Sequence, residues 1–425
     1  MNFAHTVTLF LTLGLLTYTL IGLLFGSLLV QKWACWAGLI ALGVLLLAGI
    51  FRVRPAREFP RSAWLSGTSL GARWLTGKLL GYTCALLALA AVSLAISAIP
   101  LTDWDARLIW FFHGKAIFFD GGLHPSDFWR NAEYGWSHKG YPPLIPLLAA
   151  HAADFTLGAW NEFAPKLGLV PLAGAGFLGL LVVTQSSVEQ VLLVLSAIAV
   201  LGSQLWNGYA DGWLALEGCT AIYALARWVD SGDRKYLLLG CAALALALVL
   251  KNEAQLLFAV AIPIFLYGLY RQWRHLQPHD ALIGLVFSPF ALWLFRRPQL
   301  PAIGDLEPVE LLTRAYGVVI RWPEMSHRLL VLIQYASTST FLLQSFATFL
   351  LFGMLMGFDR IAALLGSAAA LYLLGIITVY FGTPFDFAWQ VRFSLDRVLM
   401  LPTLLLLAGV ARMTQASVNA RLGRA

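Results

Sequence analysis

The stretch from Leu101 to Pro143, LTDWDARLIWFFHGKAIFFDGGLHPSDFWRNAEYGWSHKGYPP, gathers four Asp, one Glu, two Lys and two Arg in a chain of which only 12% is charged. Asp103 and Asp105 stand two residues apart at its start, directly behind an apolar run. In a loop or extended backbone, residues i and i+2 can both reach one cation or one substrate, and a carboxylate beside a hydroxyl can act as general base. The same acids can instead close a helix and pair with Arg107. Lys139, in HKGYPPL, precedes a double proline that fixes the chain as a helix begins. A cation so placed suits a phosphate, and it equally suits a lysine snorkelling at a membrane surface. His138 and Tyr141 flank it as candidate substrate contacts, and neither His138 nor His151 has a companion at metal-ligand spacing.

Three more clusters have ionisable residues beside apolar runs. Asp211 lies in NGYADGWLAL, Lys251 and Glu253 lie in KNE, and Arg392 and Arg397 lie in FAWQVRFSLDRVLMLP. Ionisable groups at a membrane edge are functional candidates, because leaving them there unpartnered is expensive. Guanidinium matches phosphate geometry, so the two arginines suit an anionic group. The plainer alternatives are internal pairs, Glu253 with Lys251 and Arg397 with a loop acid.

The elements that must position these residues are apolar helices. With 59% hydrophobic and 13% aromatic residues in 425, the chain cannot hide its apolar surface inside a soluble globule. Against a spanning requirement of about 20 residues, apolar runs predict about twelve helices. These lie near 6–30, 34–50, 79–99, 166–184, 189–206, 211–227, 236–251, 254–270, 281–296, 329–355, 361–381 and 397–412. The fold class expected is all-α, a polytopic transmembrane bundle forming a single domain over 1–425, with amphipathic surface helices in a first large loop at 101–165. The first run has no small-residue cleavage site behind it and is expected to be retained.

Charge supplies the orientation. Arg52, Arg54, Arg57, Arg61, Arg73 and Lys78 place their loop in the cytoplasm under the positive-inside rule, so the loop from Leu101 is expected outside. If the short segment 143–164 does not span, Arg227, Arg234, Lys235, Arg271, Arg274, Arg412, Arg421 and Arg424 all fall inside. That segment is therefore expected to lie on the outer membrane surface as an amphipathic helix. Both termini are then cytoplasmic, and Asp103, Asp105, Lys139, Asp211, Lys251, Glu253, Arg392 and Arg397 share the outer, periplasmic face of what is expected to be a bacterial inner membrane. The net charge of +7 is dispersed over short loops, which argues against nucleic acid as a partner. Cys35, Cys84, Cys219 and Cys241 sit in apolar runs without CxxC spacing and are expected to be inert. Trp104, Trp110, Phe111, Phe112, Phe118, Phe119, Trp129 and Trp136 suit anchoring at headgroup level, with stacking on a sugar as the alternative.

Taken in order over roughly residues 80 to 412, DARLIWFFHGKAIF, KGYPPL, YADGWLAL, LALVLKNEAQLL and SLDRVLMLPTLLLL resemble the GT-C glycosyltransferases, in the style of their protein O-mannosyltransferase and aminoarabinose transferase branches. The resemblance implies a polyprenyl-phosphate sugar donor, a glycan, lipid or protein acceptor and a catalytic Asp in the first large outer loop. Asp105 matches that Asp best, with Asp103 as the alternative, since the family's Asp-Glu is here Asp-Trp-Asp-Ala. Lys139 resembles the family's Lys-Pro-Pro lysine, although Gly140 and Tyr141 intervene, and Arg397 resembles the arginine that contacts the donor phosphate. No cofactor is required on this reading; a rival mechanism holds Mg or Mn at Asp103 and Asp105. A transporter or lipid flippase is the rival from another class, although no repeat is visible in the sequence and the polar residues collect at one edge rather than at the midplane.

Overall fold

The computed structural model describes residues 3–33, 69–123, 126–297, 308–338 and 340–422. Among these residues every regular element is helical. Seven helices have the length and composition of membrane spans: Ala4–Phe25, Leu79–Ala98, Ala164–Val183, Ser187–Leu205, Ala254–Gln272, Arg360–Phe381 and Phe387–Val418. Trp322–Thr338 and Phe341–Met356, bent by 82° from one another, make an eighth if counted as one broken span.

In chain order the helices are α1 (Phe3–Phe25), α2 (Ser69–Ala98), α3 (Phe111–Asp120), α4 (Leu144–Thr156), α5 (Val170–Val183), α6 (Ser187–Leu201), α7 (Asp211–Ser231) and α8 (Arg234–Leu248). There follow α9 (Ala254–Gln272), α10 (Ser288–Arg296), α11 (Pro308–Val319), α12 (Trp322–Thr338), α13 (Thr340–Met356), α14 (Arg360–Phe381), α15 (Phe387–Val398) and α16 (Met400–Leu422).

The structure does not bear out a count of twelve spans. The run at 34–50 lies outside the described residues, as do Arg52, Arg54, Arg57 and Arg61. At 281–296 there is a 3-10 segment followed by the nine-residue α10, too short to cross. The 329–355 run is split between α12 and α13. Helix α8 has only 15 residues, about 22 Å at 1.5 Å per residue.

Helix α7 is the hub. It packs against α5, α8, α9, α14 and α16, and 19 of its 21 residues are buried. That surround is protein rather than lipid, so Asp211 pairs with Lys251 and Arg227 donates to the Tyr236 hydroxyl, while Glu217 is buried without a hydrogen-bond partner. Gly232 ends it in the left-handed conformation at φ 70°, its N–H donating to the Trp228 carbonyl at 2.8 Å.

The helix expected to lie on the membrane over 143–164 differs in extent and in surroundings. Helix α4 covers only 144–156, and nine of its 13 residues are buried by the rest of the chain. It packs on α3, accepts a hydrogen bond from the Tyr18 hydroxyl at the Leu147 carbonyl (3.0 Å), and donates from Leu144 N–H to the Val249 carbonyl (3.4 Å). Most of its apolar residues are covered by α1, α3 and the end of α8, while Phe155 stays 48% exposed.

Candidate active site

A cavity of about 520 Å³ opens among α7, α9, α14, α15 and the segment that follows α2, a volume that suits a small ligand or its head group. Asp105 reaches it because one helical turn starts at Asp103: the Arg107 N–H donates to the Asp103 carbonyl at 2.9 Å, and a π-turn follows over Ala106–Trp110. Gly208 lets a second segment pass over that turn. Its φ is 94°, and a Cβ there would come within 3.0 Å of side-chain carbons of Leu101, Ala106 and Phe111. The close approach sets Tyr209 and the start of α7 beside Asp105.

The ionisable side chains on the wall form one alternating chain. Arg397 Nη1 donates to Asp105 Oδ2 at 2.6 Å and stands 3.7 Å from Asp211 Oδ2. Lys251 Nζ donates to Asp211 Oδ1 at 2.7 Å and pairs with Glu253 Oε1 at 2.9 Å. Three carboxylates and two cations leave the set one unit negative. Asp211 and Lys251 are almost wholly buried, with side chains 4% and 9% exposed, whereas Asp105 is 30% exposed toward the cavity. The Arg397 guanidinium also lies over the Tyr209 ring, 4.6 Å from its centroid. Burial, and next the Asp105 charge, push the Tyr209 phenol above its ordinary pKa, so it stays a neutral hydroxyl. Asn252 ties this turn to the 101–143 stretch by donating from Nδ2 to the Gly140 carbonyl at 3.2 Å.

Of the residues singled out in the sequence, Trp104, Asp105, Trp110, His138, Tyr141, Asp211, Lys251, Glu253 and Arg397 line the cavity, while Asp103, Lys139 and Arg392 do not. Asp103 and Asp105 are placed differently by the turn that begins between them. Asp105 is the second residue of the helix, whereas Asp103 stands just before its first residue and does not line the cavity. Asp103 instead sits by the Thr102 hydroxyl at 3.4 Å, and Arg107 pairs with Glu162 at 3.9 Å rather than with either acid.

Lys139 is not free to hold a phosphate. It is 1% exposed, and its ammonium donates to the Phe128 carbonyl at 2.5 Å and the Asn131 carbonyl at 2.6 Å. It also lies over the rings of Phe128 and Tyr134, at 4.9 and 5.7 Å. Burial pulls its pKa below the ordinary lysine value. It pegs the 126–137 segment down. Arg392 is exposed because it lies out of phase on α15: Gln390, Phe393, Ser394 and Arg397 share the cavity face, and Arg392 is five residues from Arg397, about 140° around the helix.

Several wall residues escaped the sequence reading. Tyr372, Ile376 and Tyr380 come from α14, four residues apart on one face of a run that reads as plain membrane span. Their signal is the pair of tyrosines in helical phase within an otherwise apolar run. The Tyr380 hydroxyl meets Ser394 at 2.7 Å, joining α14 to α15. Phe385, Trp389 and Phe393, with Trp104, which the sequence did single out, line the cavity while remaining between 44% and 74% exposed, so they form its rim. Arg328 of α12 fixes the turn before α15, donating to the Phe381 carbonyl at 2.9 Å and lying 5.1 Å from the Phe387 ring centroid.

Compared with models of known protein families, with curated proteins and with solved structures, the chain matches none of them.

Proposed function

We propose that this protein is a membrane glycosyltransferase, moving a sugar from a polyprenyl-phosphate donor to an acceptor hydroxyl at the outer face of the membrane. The observation that carries the reading is the meeting of Asp105 and Arg397, 292 residues apart in sequence, at 2.6 Å on the wall of one cavity. A base and an anion-binding guanidinium side by side are what a glycosyl displacement from a phosphate requires. Asp105 takes the proton from the acceptor hydroxyl as that oxygen bonds to the anomeric carbon. The bond from that carbon to the phosphate oxygen breaks, and Arg397 stabilises the charge growing on the leaving phosphate. A single displacement inverts the anomeric configuration. The exposed aromatic rim of Trp104, Trp389 and Phe393 offers an apolar approach for a polyprenyl chain.

The outer placement is supported by charge. Arg227, Arg234, Lys235, Arg271 and Arg274 gather where α7 ends, α8 begins and α9 ends, opposite to the ends of those helices that border the cavity. The test is release of free polyprenyl phosphate by purified protein from a panel of polyprenyl-phosphate sugars with and without acceptor. No binding of any donor, and none of polyprenyl phosphate itself, would remove the reading.

One observation favours a second reading, a transporter. Glu217, midway along α7, is 1% exposed, and neither carboxyl oxygen has a hydrogen-bond partner, nor has the neighbouring Thr220 hydroxyl. An unpartnered carboxyl inside a bundle is the kind of group that relays protons or ions. Flux into proteoliposomes that Glu217→Gln abolishes, without loss of folded protein, would favour it.

A further inference from the structure

The cavity wall carries a rule about the charge of what it holds. Its two cations are both committed. Lys251 lies between Asp211 and Glu253 at 2.7 and 2.9 Å, and Arg397 lies between Asp105 and Asp211 at 2.6 and 3.7 Å. Among the described residues that line it there is no other Lys or Arg. Three acceptor atoms of wall residues are buried and lack any hydrogen-bond partner: Asp211 Oδ2, Glu253 Oε2 and Gln390 Oε1. Buried acceptors left unmade are costly, so a well-fitting ligand brings donors to them.

We infer that the transferred group is a hydroxyl-rich sugar without negative charge, held by Asp211, Glu253 and Gln390, and that a sugar carrying a carboxylate is rejected. The inference rests on the glycosyltransferase reading for the word sugar; the rule about charge comes from the wall alone. Hydroxyls supply the donors that the three acceptors lack. A carboxylate supplies none, and it enters a set already one unit negative in which each cation has its own carboxylates. When a donor phosphate engages Arg397, the remaining cation, Lys251, is still clamped between Asp211 and Glu253, so a second anion gains nothing. Rejection of this kind is built from unpaired and like charges rather than from lost contacts.

The experiment measures binding to the purified full-length protein by quenching of tryptophan fluorescence, since Trp104, Trp110 and Trp389 line the cavity. The probes are polyprenyl phosphate alone, its glucosyl, galactosyl and mannosyl derivatives, and the three uronates made by oxidising C6. At least one hexosyl derivative is expected to bind more tightly than polyprenyl phosphate, with its uronate weaker by at least about tenfold. Glu253→Gln together with Gln390→Leu should remove the hexose's advantage. Glu253→Lys should narrow the gap between hexose and uronate, and Gln390→Lys, at a half-buried position, repeats that test if Glu253→Lys does not fold. A uronate that binds as well as its hexose overturns the inference. If polyprenyl phosphate binds but no hexosyl group adds affinity, the inference falls while the phosphate site stands. If nothing binds, the proposed function falls and the inference with it.

Discussion

Arg397 holds the Asp105 carboxylate at 2.6 Å and, with the same Nη1, stands 3.7 Å from Asp211. One guanidinium therefore links the two segments that border the cavity on either side of Tyr209. An anion arriving at Arg397 must share it with Asp105, so ligand binding and the availability of the carboxylate are coupled by geometry.

The first consequence concerns Asp105. Asp105→Asn is expected to keep the fold, because the amide can still accept from Arg397, and to lose transfer by about 100-fold or more, the range for removal of a general base. Asp103→Asn is expected to retain activity within a few-fold, since Asp103 does not line the cavity. The assay is release of polyprenyl phosphate under single-turnover conditions. Equal losses in both variants would mean that the turn at 103–107 matters as a structure and that Asp105 has no separate chemical role.

A second expectation separates pairing from packing. Lys251→Met leaves the buried Asp211 with only Arg397, 3.7 Å away, as a counter-charge and should destabilise the protein by about 3 kcal/mol, the usual size for breaking one side of a buried pair. Adding Asp211→Asn should recover much of that loss, because the most deeply buried carboxylate is then neutral and Glu253, the other acid paired with Lys251, is 31% exposed. Thermal unfolding of the two single variants and the double variant in detergent gives the coupling energy. Additive losses would show that the two residues do not sense each other in the folded protein.

How much of this was legible in the sequence depended on the kind of residue. Asp105, Asp211, Lys251, Glu253 and Arg397 were visible because ionisable groups stand out at the ends of apolar runs. The choice between Asp103 and Asp105 was not visible, since it turns on whether two residues belong to a loop or to a helical turn. Lys139 looked available because nothing near it in sequence is a carboxylate; the carbonyls of Phe128 and Asn131 that engage it carry no sequence signal. Arg392 fails by helical phase, a test that the sequence allowed once α15 was read as a helix. Helix α4 shows the limit for the fold: an apolar 13-residue stretch reads alike whether lipid or protein covers it, and only packing decides.

Lys139 gives a third test. As a peg rather than a phosphate ligand, it should matter for the order of the 126–137 segment and little for donor affinity. Lys139→Met removes two hydrogen bonds to carbonyls and is expected to cost about 1–3 kcal/mol, with faster proteolysis within that segment. The binding constant for polyprenyl phosphate, measured on the folded fraction, should change less than about twofold. A tenfold loss of affinity with unchanged proteolysis would return Lys139 to the phosphate site.

The last expectation is a pH dependence set by His113. The imidazole is buried, its Nε2 is 3.1 Å from the Ser137 hydroxyl, and Ser137 in turn donates to the Tyr134 carbonyl at 2.7 Å. Burial first, and then the charges of Lys139 and His138, hold its pKa down to about 3 from an ordinary value of 6.5. Above pH 6.5 the ring is neutral in both the folded and the unfolded chain and contributes no slope. Below it, the unfolded chain takes up a proton that the folded chain refuses until about pH 3, so stability falls as pH falls, by up to about 1.4 kcal/mol per unit. Between pH 6.5 and 5 that amounts to about 2 kcal/mol. His113→Asn cannot take up the proton in either state and should unfold with a correspondingly flatter pH profile, whatever its absolute stability. The measurement is the midpoint of thermal unfolding for both proteins at pH 7.5, 6.5 and 5. Parallel profiles would mean that His113 is protonated in the folded protein at mild acidity, and that the Lys139 peg beside it does not exclude a second positive charge.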